Sequence, residues 1–217
     1  MHCYIVPVPK QVDHNARRQW VTEVAAEIVA ARGIEALTIR NVAAQGGYST
    51  ALVSHYFADK RDLLRSTFRA AANRSTLRLQ AASDPDGDGA AGRTGERSLA
   101  RCLEALLPMD EPSRRDWRVY IAFWGPAAVD TDLAVEQAQR VRSAQDRVAA
   151  LLVACGYGTG HTRAQLRILA RGLLTVVQGI AVQALFDPEG WPARQQSEEL
   201  RRGIARIVPE LDRLASA

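Results

Sequence analysis

The chain has 217 residues and a formal net charge of +4, long enough for one large or two small domains with real cores. Cys3, Cys102 and Cys155 are odd in number, far apart and without a CxxC pair, which argues against a disulfide framework or a zinc site and suits a reducing cytosol. The opening stretch 1–10 is too short and Pro-broken for a signal-peptide core, and no uninterrupted apolar run approaches the ~18 residues of a membrane span; a soluble, cytoplasmic protein with no membrane partner is expected.

Residues 1–12 read as a loose tail. Asp13 or Asn15 can cap a first helix whose Val21, Val24, Ala25, Ile28 and Val29 recur at helical spacing, with Trp20 and Ile28 adding bulk to a small core. Gly33 ends that helix. Thr38 is a natural N-cap for a helix over about 39–45, with Ile39, Val42 and Ala43 inward. Gly46-Gly47 makes the turn, Ser49 caps a third helix over about 50–56, and Asp59 caps a long fourth from Lys60 to Ala82. Two short helices on a glycine turn are the layout of a helix-turn-helix, whose second helix enters the DNA major groove.

The stretch from Ser83 to Gly95, rich in Asp and Gly, is the clearest loop. Beyond it nearly everything reads helical, over about 96–107, 113–129 with a bend at Gly125-Pro126, 132–154, 162–186 and 194–214. The expected fold is all-α, about nine helices. A tail over 1–12 precedes a three-helix DNA-binding domain over 13–60, with its helix-turn-helix at 38–57. A connecting helix over 61–82 and a loop over 83–95 lead to an effector-binding and dimerisation domain over 96–217.

Charge follows the same division. Residues 1–82 carry 11 Lys+Arg against 6 Asp+Glu, and residues 83–217 carry 17 against 18, so the positive excess sits where a phosphate-binding module needs it. On the third helix Thr50, Ala51, Ser54 and His55 are expected to point outward while Leu52 and Val53 anchor it. Small residues let the backbone approach the groove, and the hydroxyls of Ser49, Thr50 and Ser54 can bond phosphates or base edges. Tyr56 either brings its hydroxyl to the DNA backbone or joins Phe57 in the core. Arg40 can reach a phosphate or a guanine edge. Lys60, in the first turn of the fourth helix, can share a phosphate with the helix amides.

The ordered set Gly33-x4-Thr38-x3-Val42-Ala43-x3-Gly47-Tyr48-Ser49-x7-Phe57-x2-Lys60-x2-Leu63-Leu64 resembles the DNA-binding region of TetR-type transcriptional repressors. Residues 49–60 are most similar to the BetI-like branch of choline and betaine regulators. Tyr48 fills a slot usually held by valine, Ala51 one often held by glycine, and Ser54 one often held by tyrosine, the last departure being shared with BetI-like members. Tyr120-Ile-Ala-Phe-Trp124 is similar to an aromatic stretch of the BetI-like ligand domain. The resemblance implies a homodimer on a palindromic double-stranded DNA operator, released by a small-molecule effector. It also implies dimerisation through the last two helices, whose stripes are Leu166, Leu169, Leu173, Val177 and Ile180, and Leu200, Ile204, Ile207, Leu211 and Leu214. Such stripes otherwise face their own chain's core.

Trp117, Tyr120 and Trp124, spaced i, i+3, i+7 with Phe123 beside them, form either core or an aromatic cage for a quaternary ammonium. Gln178 and Gln183 could add polar contacts. No cofactor and no metal are expected, and no enzyme activity: the histidines at 2, 14, 55 and 161 are scattered, with no HExxH and no acid cluster. The remaining alternatives are a TetR-type activator, a ligand-independent DNA-binding protein, and an all-helical carrier or enzyme.

Overall fold

The computed structural model describes residues 14–83 and 95–208. Among these residues the chain forms nine α-helices and no strand. They are α1 (His14–Arg32), α2 (Ile39–Gly46), α3 (Thr50–Tyr56), α4 (Lys60–Ser83), α5 (Glu96–Glu104), α6 (Glu111–Val129), α7 (Thr131–Leu152), α8 (Arg163–Phe186) and α9 (Ala193–Ile207). Residues 1–13, most of the expected loop, and Pro209, Leu211 and Leu214 lie outside the described residues.

Local chemistry sets most boundaries. Thr38 and Ser49 accept the backbone N–H of Asn41 and Leu52 and so cap α2 and α3. Asp110 and Ser113 form a reciprocal capping box on α6, as Thr162 and Gln165 do on α8. α1 already includes Asn15, which is therefore not its cap. α6 continues through Gly125-Pro126 to Val129, with Pro126 inside the helix. After Glu104 the chain closes through tight turns, Leu106 and Leu107 donating to Leu103 and Glu104.

Gly47 ends α2 in the left-handed region at φ 69°, and a Cβ there would meet nothing within 4 Å. Gly47→Ala therefore isolates backbone strain, and is expected to cost ~1–2 kcal/mol. Thermal melting of the variant checks this, and an unchanged midpoint would refute it.

Two apolar cores organise the helices. The first joins α1 to α4 around Ile28, Leu37, Val42, Val53, Phe57 and Leu63, and it also takes in Val119, Phe123, Ala127 and Leu133 from α6 and α7. The reading head thus rests directly on the larger domain. The second core lies among α5, α7, α8 and α9, around Leu99, Leu103, Leu152, Leu173, Leu200 and Ile204. Trp20, expected in the first core, is 59% exposed. The first two turns of α1, residues 14–20, project past that core, and the buried face begins only at Val21.

α8 is long and apolar enough by length and composition to cross a membrane, with a mean hydropathy of 1.6 over its best 18 residues. Arg167 and Arg171 interrupt it, so it holds no uninterrupted apolar run of that length. Its inner face packs in the second core.

Arginines of α4 tie it to the larger domain. Arg61 pairs with Asp130 and Asp132, and Arg65 and Arg69 clasp the buried Glu136 at 2.9 and 2.5 Å. Burial alone would raise the Glu136 carboxyl, but hydrogen bonds from Arg69 and Arg65 outweigh it and hold the group below its ordinary value. Farther along, Arg74 and Arg78 both bind the fully buried Asp116 of α6, and Arg74 also reaches Glu23 of α1.

Candidate nucleic-acid interface and ligand cavity

α2 and α3 are held by Val42, Ala43 and Val53, all buried, with Leu52 half-buried beside them. Tyr48 finds room because residue 46 is glycine: a Cβ at Gly46 would lie 2.7 Å from the Tyr48 ring. The bulky aromatic in the turn is thus matched by the missing side chain two residues earlier.

Of the expected DNA-facing residues, Arg40 is exposed on α2, and Thr50, Ala51, Ser54 and His55 are exposed on one face of α3. Thr38 and Ser49 use their hydroxyl oxygens as helix caps. Tyr56 is half-buried, with its hydroxyl 3.0 Å from Nδ1 of His14. Lys60 is exposed and sits 3.4 Å from Glu35, whose own side chain is 92% exposed. The Asp62 N–H of α4 is already taken by Asp59, so fewer helix amides are open to a phosphate than expected.

Two sequence inferences change here. The histidines are not all scattered: the rings of His14 and His55 lie 6.3 Å apart, both against Tyr56. Nor is the positive excess of residues 1–82 all available to DNA. Arg61, Arg65, Arg69, Arg74 and Arg78 are engaged by carboxylates of α6 and α7. Charge counting by segment misses this because both partners are far apart in sequence.

Behind the head lies a largely apolar cavity of about 130 Å³ between α4, α6, α7 and α8. Trp117, Tyr120, Trp124 and Gln178 line it, and the three aromatic residues pack at the same time against the second core. Phe123 does not line it. Phe123 points to the other side of α6, fully buried and stacked on Phe68 at 3.8 Å. Trp117 donates its indole N–H to the Leu106 carbonyl at 2.8 Å, and the Tyr120 hydroxyl is 2.8 Å from Ser75 Oγ. Burial raises the Tyr120 phenol above its ordinary value. Gln183 is exposed and takes no part in the lining.

Sequence reasoning missed the wall that α7 supplies: Gln137, Arg140, Val141, Ala144, Arg147 and Val148. These positions recur at helical spacing, so the signal was a face carrying both apolar residues and arginines. Only the opposing helices show that this face is enclosed.

The expected dimer stripe is also reassigned. Leu166, Leu169, Leu173, Val177, Ile180, Leu200 and Ile204 are buried within their own chain, and Val177 lines the cavity. Ile207 is half-buried over Gly172 of α8, and Leu211 lies outside the described residues. α8 is apolar on more than one face, and the larger side chains went to the intrachain core. Its other face, with Ile168, Thr175, Gly179 and Phe186, is exposed, Ile168 at 57% and Phe186 at 74%.

A family model for bacterial regulatory proteins of the tetR family matches residues 21–67, and one for the carboxy-terminal part of BetI-type transcriptional repressors matches residues 95–209. The chain belongs to the BetI-type TetR family. It is therefore a helix-turn-helix, DNA-binding transcriptional regulator. This TetR-type regulator is 24% identical over 204 residues to the HTH-type transcriptional regulator PksA of Bacillus subtilis, covering 94% of each chain. A transcriptional regulator from Rhodococcus sp. Rha1 superposes with a TM-score of 0.75 at 25% identity, over 89% of this chain and 96% of that one. A regulator from Saccharomonospora viridis in complex with choline shares the fold, with a TM-score of 0.69 at 19% identity over 88% and 96%.

Proposed function

We propose that this TetR-type regulator is a repressor that grips a palindromic operator as a homodimer and lets go when a small molecule fills the cavity behind its reading head. The observation that carries the reading is the double duty of α4. Its first half packs the head through Leu63, Leu64 and Phe68, and its second half lines the cavity through Ala72, Ser75, Thr76 and Leu79. A ligand that prefers one α4 orientation shifts the balance between DNA-competent and incompetent states by its difference in affinity for the two.

In this reading Thr50, Ala51 and Ser54 face base edges, and Thr38, Arg40, Ser49, His55, Tyr56 and Lys60 hold the backbone. The second protomer docks on the outer face of α8 beside α9, where Ile168 and Phe186 are the apolar anchors. Two heads so joined present recognition helices about one DNA turn, ~34–36 Å, apart or a multiple of it.

A gel-shift titration against the DNA upstream of its own gene tests the reading, and binding without sequence preference overturns it. Arg40→Ala and Lys60→Ala are each expected to lower the slope of log affinity against log salt by about one. An unchanged slope removes that residue from the phosphate contacts.

A further inference from the structure

The cavity is apolar, yet two guanidinium groups border it with no acid opposite them. Arg140 and Arg147 stand seven residues apart on α7, two turns along one face, and both line the cavity. Neither has a hydrogen bond or an ion pair among the described residues. Arg140 lies 5.1 Å from the centre of the Phe68 ring, a cation–π contact that uses none of its N–H groups. No aspartate or glutamate is among the lining residues.

The nearby carboxylates make their ion pairs with other arginines. Glu136 is held by Arg65 and Arg69, Asp116 by Arg74 and Arg78, and Asp146 lies against Arg167. Burial lowers both Arg140 and Arg147 below the ordinary arginine value and outweighs the pull of Glu136 on the first and of Asp146 on the second. One buried polar atom of the cavity wall has no partner, the amide oxygen of Gln137. A flip of that amide would turn a donor toward a ligand.

The aromatic walls of Trp117, Tyr120 and Trp124 alone would suit a quaternary ammonium, the expectation raised by their spacing. The α7 arginines reverse the sign of the site, since a cation held beside them would meet two like charges and no lining carboxylate. From this arrangement we infer that the effector is a small organic acid, a ring-sized apolar body bearing a carboxylate. The aromatic walls hold the body, and Arg140 and Arg147 hold the carboxylate by charge-assisted hydrogen bonds. This inference rests on the proposal that the cavity is the effector site, and it names the chemical class that enters.

Three probes matched in shape and differing in charge decide it: phenylpropionate, phenylpropanamide and phenylpropyl-trimethylammonium, titrated calorimetrically into the full chain. The acid is expected to bind ~10- to 100-fold more tightly than the amide, the worth of one charge-assisted hydrogen bond, with the ammonium weakest. On Arg140→Gln and Arg147→Gln the ratio of acid to amide affinity, both measured on the same variant, is expected to fall to within a few-fold of one, and R140K and R147K are expected to restore part of it. Melting curves of the variants confirm that each is folded. Equal or tighter binding of the ammonium or the amide, or no binding of the acid up to its solubility, overturns the inference. Acid that binds without changing operator affinity upholds the anion site while refuting effector release, so the two readings fail separately.

Discussion

Phe123→Ala is expected to destabilise the regulator by ~3–5 kcal/mol, the range for truncating a fully buried phenylalanine. Phe123 has no exposed surface and lies flat on Phe68, with ring centroids 3.8 Å apart and planes 2° from parallel. Phe68 is a wall of the cavity on its other side and meets the Tyr120 ring edge-on at 5.7 Å. One ring thus backs another that any ligand would touch. Removing Phe123 leaves a hole in the core shared by reading head and larger domain, into which Phe68 can fall. Urea unfolding measures the stability loss. Phe123→Leu, which keeps most of the volume, is expected to lose less than half as much. A loss under ~1 kcal/mol for the alanine variant would mean that the two domains do not depend on this stack.

Asp116→Ala follows, with an expected loss of ~2–4 kcal/mol. Asp116 is fully buried and accepts from Arg74 Nε at 2.9 Å and from Arg78 Nη1 at 2.8 Å. Removing one partner of a buried ion pair costs about 3–5 kcal/mol because the other charge is left uncompensated. The two guanidiniums are about a quarter exposed, so water reaches them in part and the lower range applies. For a chain of this size the loss corresponds to a fall of ~5–15 °C in melting temperature. The sign is tested further by replacing the buried part of the cluster: Asp116→Leu with Arg74→Met and Arg78→Met is expected to recover most of the stability, since the one remaining carboxylate, Glu23, is partly exposed and keeps Arg115. A triple variant as unstable as Asp116→Ala would show that the loss is one of shape. The cluster also fixes α4 against α6, with Glu23 linking it to α1 through Arg74 and Arg115. Its removal should therefore blunt the response of DNA binding to ligand.

Much of the molecule was legible from neighbours in the chain, because the interactions that decide it are local. A helix begins where Thr38, Ser49 or Thr162 can accept its first free N–H, and turns where Gly47 takes positive φ. Each event spans only a few residues, so residue type and spacing suffice to place the helix-turn-helix and the exposure of Thr50, Ala51, Ser54 and His55. The spacing of Trp117, Tyr120 and Trp124 likewise put them on one face, and that face proved to line the cavity.

Other features needed the packed fold. Periodicity marks a stripe on α8 without saying what covers it; Leu166, Leu169 and Leu173 met α7 and α9 of their own chain, leaving Ile168 and Phe186 outward. A stretch of basic residues says nothing of whether its charges are free, and the α4 arginines found carboxylates up to 71 residues away. The same holds for Arg140 and Arg147, ordinary arginines of an amphipathic helix until α4, α6 and α8 close around them. Capping and turn geometry are settled within a few residues of chain. Burial, ion pairing and the sign of a cavity depend on which distant surfaces meet, and only the assembled helices fix that.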